Sequence, residues 1–106
     1  ILTRSDVIKR NYEGVAETVK AITKVNDMMT QDKALFAQTI HKVTGLDLDI
    51  ATEAVGNLYP DYAMHRSQAV AIATMMHDLK YIGSDVSAKV EQNLDYRFLE
   101  AATGKP

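Results

Sequence analysis

The sequence predicts a mainly α-helical chain of about five helices packed as an antiparallel cluster, and three observations point there. Apolar residues recur at steps of three and four over most of the 106 positions, the signature of amphipathic helices. The segments so defined end in recognisable caps, and the first connection is only two or three residues long, a length that favours antiparallel neighbours. The alternation that marks a half-buried strand is nearly absent beyond the first few residues.

The elements follow in order. Ile1-Leu2-Thr3 reads as the end of an apolar strand entering a helix of a turn or two around DVIKRN, capped by Ser5 or Asp6. Residues 13–30 carry Val15, Val19, Ile22, Val25 and Met29 on one face and Glu17, Lys20, Lys24 and Asp27 mostly elsewhere, which predicts one long amphipathic helix. Gly14 is tolerable near its start, whereas in mid-helix a glycine costs about 1 kcal/mol relative to alanine. Thr30 or Asp32 caps the next helix, with Leu35, Phe36, Ile40 and Val43 inward and Gly45 supplying a left-handed end. Asp47 or Asp49 opens a short helix with Ile50, Ala54, Val55 and Leu58 on one face. Tyr59-Pro60-Asp61-Tyr62 then breaks it, because proline lacks an amide donor and biases its predecessor away from helix. A helix from about His65 to Tyr81 turns Ala69, Ile72, Ala73, Met76 and Leu79 inward, with Gly83 after its end. Ser84-Asp85 or Ser87 opens a last short helix, and the chain finishes with LDYRFLEAATG.

Composition narrows the function classes. With 46% hydrophobic and 25% charged residues the chain suits one domain or a piece of one. At this length roughly 60–70% of the unfolded surface is buried on folding, so stability is thin without partners. A net charge of −2 and a pI of about 5.9 attract no nucleic acid. The absence of cysteine excludes disulfides, thiolate metal sites and a cysteine nucleophile. No apolar run reaches the roughly 20 residues needed to span a bilayer, and ILTRSDVIKR is no secretory signal, so an exported chain would carry its signal upstream.

Catalytic and metal chemistry find no handle. Asp47-x-Asp49 resembles the start of a calcium loop, but Ala51, Thr52 and Leu58 stand where a ligand, a glycine and a glutamate are required; the pair caps a helix. His41, His65 and His77 form no pair at i, i+4 and read as ordinary polar residues. The P-loop, GxSxG, GxGxxG and HExxH patterns do not occur. Residues 49–76 make a poor helix-turn-helix, since MHRSQAVAIATMMHDL brings one arginine and soon turns apolar. Met28-Met29 and Met75-Met76 fill core rather than line an adaptable groove. The charges alternate along the helices as on a solvated face, with pairs such as Glu17 and Lys20. The sequence thus names no catalytic residue, metal ligand or cofactor.

The order of features carries a resemblance. SDVIKRNYEGVAETVKAITKVNDMM, TQDKALFAQTIHKVTGLDLDIATEAV and SQAVAIATMMHDLKYIGSDVSAKVEQNLDYRFLEAA together resemble the C-terminal segment of the substrate-binding proteins of ABC importers. The branch is the one handling nitrate, sulfonates, taurine and thiamine precursors. There a strand leads through an Asn-Pro-Glu turn into a long helix, and a later glycine precedes an apolar pair. Here Asn11-Tyr12-Glu13 lacks the proline, and Tyr81-Ile82 comes before Gly83.

The resemblance implies that residues 1–106 form the C-terminal helical portion of a two-lobed α/β protein about three times as long, with a periplasmic or extracytoplasmic location. It implies a non-enzymatic role: capture of a small, anionic or organic solute and delivery to a membrane permease. It also implies that Tyr96, Phe98 and Leu99 are interface residues lying against a lobe outside this sequence; the alternative is that the tail folds back on its own helices. The ligand-binding residues would lie mostly upstream, with Arg4 the one position here near the cleft or, more simply, facing solvent. Left alone, such a segment would expose apolar patches that favour self-association. Two other classes stay open: a free-standing helical interaction module, and an enzyme of similar fold from pyrimidine biosynthesis.

Overall fold

The structure, a computed structural model, describes residues 1–105. They form seven helices: α1 (Ser5–Arg10), α2 (Tyr12–Gln31), α3 (Lys33–Thr44), α4 (Leu48–Val55), α5 (Arg66–Asp78), α6 (Ser87–Gln92) and α7 (Arg97–Thr103). No strand occurs among the described residues. The apolar Ile1-Leu2-Thr3 is irregular and exposed, because no neighbouring strand is present to pair its amides. The two helices beyond the expected five are α1, which becomes an element of its own, and α7, which forms within the closing LDYRFLEAATG.

Local chemistry sets most boundaries. Asn11 accepts a hydrogen bond from the Gly14 amide at 3.1 Å and caps α2. A Cβ on Gly14 would collide with the Asn11 side chain, so the glycine keeps room for the cap. Asp32 accepts from the Leu35 amide at 2.9 Å and caps α3, and Gly45 ends it at φ 74°. One cap differs from the sequence expectation: Arg4, not Ser5 or Asp6, occupies the position before α1, with Asp6 in the first turn. Asp47 holds the cap position of α4 as expected, without a side-chain bond to it.

The end of α5 is also different. The helix stops before Tyr81, and Lys80 adopts φ 62°, alone in that region among the described non-glycine residues. The Tyr81 amide donates to the Met76 carbonyl at 2.9 Å and the Lys80 amide to the His77 carbonyl at 2.9 Å. These two bonds are the Schellman pattern, with Lys80 in the left-handed position normally held by glycine. Gly83 plays no such part.

The helices associate in pairs rather than around one core. α3 packs on α4, α5 on α6, and α2 on α7, while α2 touches α1 and α3 only lightly. The best-buried cluster is small: Ala37, Ala51 and Val55, with Phe36 and Ile40 against it. Ala69 and Ala73 are buried in the α5 pair, Val19, Thr23 and Phe98 in the α2 and α7 pair. The inward stripes expected from periodicity are therefore corrected in part. Ile22, Val25, Val43, Ile50, Leu58, Ile72, Met76 and Leu79 all remain exposed. Periodicity tells which face is apolar but not whether another helix arrives to cover it.

The size of the shortfall can be stated. A compact chain of this mass has about 5,900 Å² of accessible surface and a radius of gyration near 13 Å. The observed values are 8231 Å² and 17.1 Å. About 2,300 Å² more surface is open than a self-contained domain of this mass would leave. The expectation of a single antiparallel cluster gives way to three helix pairs, α3 with α4, α5 with α6, and α2 with the distant α7.

Candidate functional site

The closing segment builds one wall of an apolar concavity. Asp95 begins it by accepting from the Arg97 amide at 3.1 Å, a local turn that redirects the chain from α6 into α7. The turn places Phe98 toward α2, where its ring meets that of Tyr12 at a centroid distance of 4.7 Å and an angle of 42°. Tyr96, Phe98 and Leu99 then line one cavity of about 200 Å³ together with Val15 and Val19 of α2. Ile1 and Leu2 line it from the N-terminal side.

The three interface residues expected from sequence are thus brought together, but one of them is corrected. Phe98 is 6% exposed and covered by the same chain, so it needs no outside lobe. Tyr96 and Leu99 are half-buried at the cavity wall. The Tyr96 hydroxyl donates to the Met64 carbonyl, which ties the tail to the irregular segment before α5. Sequence reading missed Tyr12 and the Ile1-Leu2 end as parts of this site. An aromatic residue at the first position of a helix was the available signal.

Electrostatics around the cleft are largely self-neutralised. Arg97 donates to both oxygens of Asp95, at 2.9 and 2.6 Å. The Arg97 guanidinium holds the Asp95 carboxyl below its ordinary range, and Asp95 in turn raises Arg97. The same guanidinium lies 5.8 Å from the Phe98 ring centre and 6.0 Å from that of Tyr12. Arg66 stands 5.7 Å over the Tyr96 ring and pairs with Glu91 at 3.3 Å. The cavity therefore offers van der Waals contact to an apolar group, and the carboxylate among its lining residues is committed to arginine.

The remaining polar candidates have local partners. Arg4 pairs with Asp6 at 2.9 Å and faces solvent. The His41 Nδ1 lies 2.6 Å from the Leu46 carbonyl, closing the loop after α3. His65 lies 3.3 Å from Asp61 and His77 3.6 Å from Asp78. Among the described residues no group of three or more histidine or carboxylate side chains is close enough to hold a metal ion. No helix of the described residues is long and apolar enough to cross a membrane.

No protein-family profile, curated protein or solved structure matches this chain. The class defined by its fold is an all-helical chain of paired helices with unusually open apolar faces.

Proposed function

We propose that the chain is the C-terminal helical portion of a substrate-binding protein of an ABC importer. In that role it belongs to a two-lobed periplasmic protein, exported by a signal upstream, that captures a small anionic or organic solute and hands it to a membrane permease. It acts by binding and not by catalysis. The observation that carries the proposal is the surplus of roughly 2,300 Å² of open surface, whose apolar helix faces suit a scaffold that is completed by lobes.

Two details of register support it. Asn11 is the cap and Tyr12 the first residue of α2, so Tyr12 takes the place at which the importer pattern has the proline of Asn-Pro-Glu, a residue favoured at a first helical position. Lys80 is left-handed and directly precedes the apolar pair Tyr81-Ile82, the place where that pattern has glycine. On this reading Lys80 stands in for the glycine of that pattern.

In this role the segment supplies scaffold, and closure of the lobes is driven by whatever affinity difference the solute has for the closed and open forms. An anionic solute would be held by helix N-termini and backbone amides upstream. The test is a thermal-shift screen of the complete polypeptide, with its upstream region, against nitrate, sulfonates and aromatic acids. A bound solute raises the melting temperature by mass action. An upstream region without alternating strand and helix pattern, or the absence of any shift across the screen, refutes the proposal.

The burial of Phe98 within the chain favours a second reading, a free-standing helical module that binds a protein partner. A reading frame that starts immediately before Ile1 would select it.

A further inference from the structure

We propose that the exposed stripe on α5 is a seam at which two copies of this chain pair antiparallel about a two-fold axis, an assembly independent of the importer proposal. Ile72, Met75, Met76 and Leu79 follow i, i+3, i+4, i+7 spacing, and they are 53%, 52%, 38% and 60% exposed. At about 100° per residue they span a sector whose centre lies roughly 90° around the helix from the centre of Ala69 and Ala73, the buried face turned to α6, with Met76 at the edge beside Ala69. α5 therefore carries one wide apolar sector, and α6 covers only one side of it. No charged side chain of α5 shares the open sector; Gln68 is the polar residue within it and Ala71 borders it. A solvated helix face carries charge; the centre of an interface is depleted of it.

The spacing also suits a partner identical to itself. A two-fold axis between residues 75 and 76 sets Met75 of one copy on Met76 of the other and Ile72 on Leu79, so each contact is made twice, as an isologous interface requires. The Schellman turn adds area at the end of the seam, because the Tyr81 amide is bonded to the Met76 carbonyl, which ties its backbone to the stripe, and the Tyr81 residue is 76% exposed. At roughly 200 Å² for a large side chain, these five residues leave on the order of 500 Å² of apolar surface open. A standard dimer buries about 800 Å² per partner, of which about 57–65% is apolar. The stripe with Tyr81 supplies that apolar share from one helix.

Sedimentation equilibrium of the 106-residue chain tests this over micromolar to high-micromolar concentration. The expected result is reversible dimerisation. Met75→Lys, a change between residues of similar helix propensity, should weaken it about 30-fold or more, the effect of losing a central anchor. Ile50→Lys, on the exposed face of α4, should leave it unchanged. Orientation is read with single cysteines in this cysteine-free chain. Met76→Cys sits within about 2 Å of the axis along the helix and should form a disulfide-linked dimer, whereas Ile72→Cys, its copies offset by about 10 Å, should not. A chain monomeric at every concentration overturns the proposal, as does a dimer indifferent to Met75→Lys, one equally lost in Ile50→Lys, or one cross-linked through residue 72. Each of these outcomes leaves the solute screen on the complete polypeptide unaffected.

Discussion

Lys80→Gly should stabilise the α5 and α6 pair. Lys80 closes a Schellman turn at φ 62°, a conformation in which Cβ crowds the following carbonyl and which costs an L residue about 1–2 kcal/mol. Glycine removes that cost but adds roughly 0.4–1 kcal/mol of conformational freedom to the unfolded chain, leaving a net gain of about 0.5–1 kcal/mol. Among the described residues α5 packs on α6 alone, so the gain is local to this unit and is best read by hydrogen exchange. Amides of α5 that exchange by opening of the pair should slow by about two- to five-fold, since 1.4 kcal/mol corresponds to a factor of ten. Lys80→Ala is the control: it keeps the Cβ and should change little. Equal protection in the glycine and alanine variants, or faster exchange in Lys80→Gly, would refute the assignment of strain to this position.

Other consequences can be checked together. Ala51 is 0% exposed against Ala37 and Val55, so Ala51→Leu should cost about 1–3 kcal/mol by overpacking, while the neighbouring exposed Ile50→Leu should stay within about 0.5 kcal/mol; urea unfolding distinguishes them. Phe98→Ala should lower stability by about 3 kcal/mol by opening the contact with α2, and a double-mutant cycle with Tyr12→Ala should return a coupling of about 0.5–1.5 kcal/mol for the two rings. Acid should weaken the fold. The Ala63 amide holds Asp61 low, the Ser87 amide holds Asp85 low, and the Arg97 side chain holds Asp95 low. Folded values below the unfolded value of about 3.9 mean that the unfolded state takes up protons first as pH falls. Their contribution is present above about pH 4 and is lost as pH drops through the folded values. Melting temperatures followed downward from neutral pH should fall in that window and fall less in Asp95→Asn; a rise on acidification would contradict the sign.

Much of the local structure was legible because its causes are local. Asp32 and Gly45 bound α3 as the cap rules require, Pro60 lies in the break before α5, and α6 starts at Ser87. α7 was less legible. Its trigger is the Asp95 bond to the Arg97 amide, and a seven-residue helix offers too few apolar repeats for periodicity to register. The left-handed Lys80 was hidden for a different reason. Glycine announces such a turn and lysine does not, so attention fell on Gly83. For the cleft, the sequence marked Tyr96, Phe98 and Leu99 as a cluster needing cover but not what covers it.

By itself the sequence determined that the chain is helical, where most helices start and stop, and which stripe of each is apolar, since capping and 3.6-residue periodicity depend on residues within a turn of one another. Which stripes meet was decided only in three dimensions. The Tyr12 and Phe98 rings, 86 positions apart, find each other, while Ile72, Met75, Met76 and Leu79 stay 38–60% exposed. Burial is a contact between distant segments, and its geometry is set by how the connections at Asp32, residues 56–65 and Leu94–Tyr96 aim rigid helices, which no pattern inside a single helix encodes.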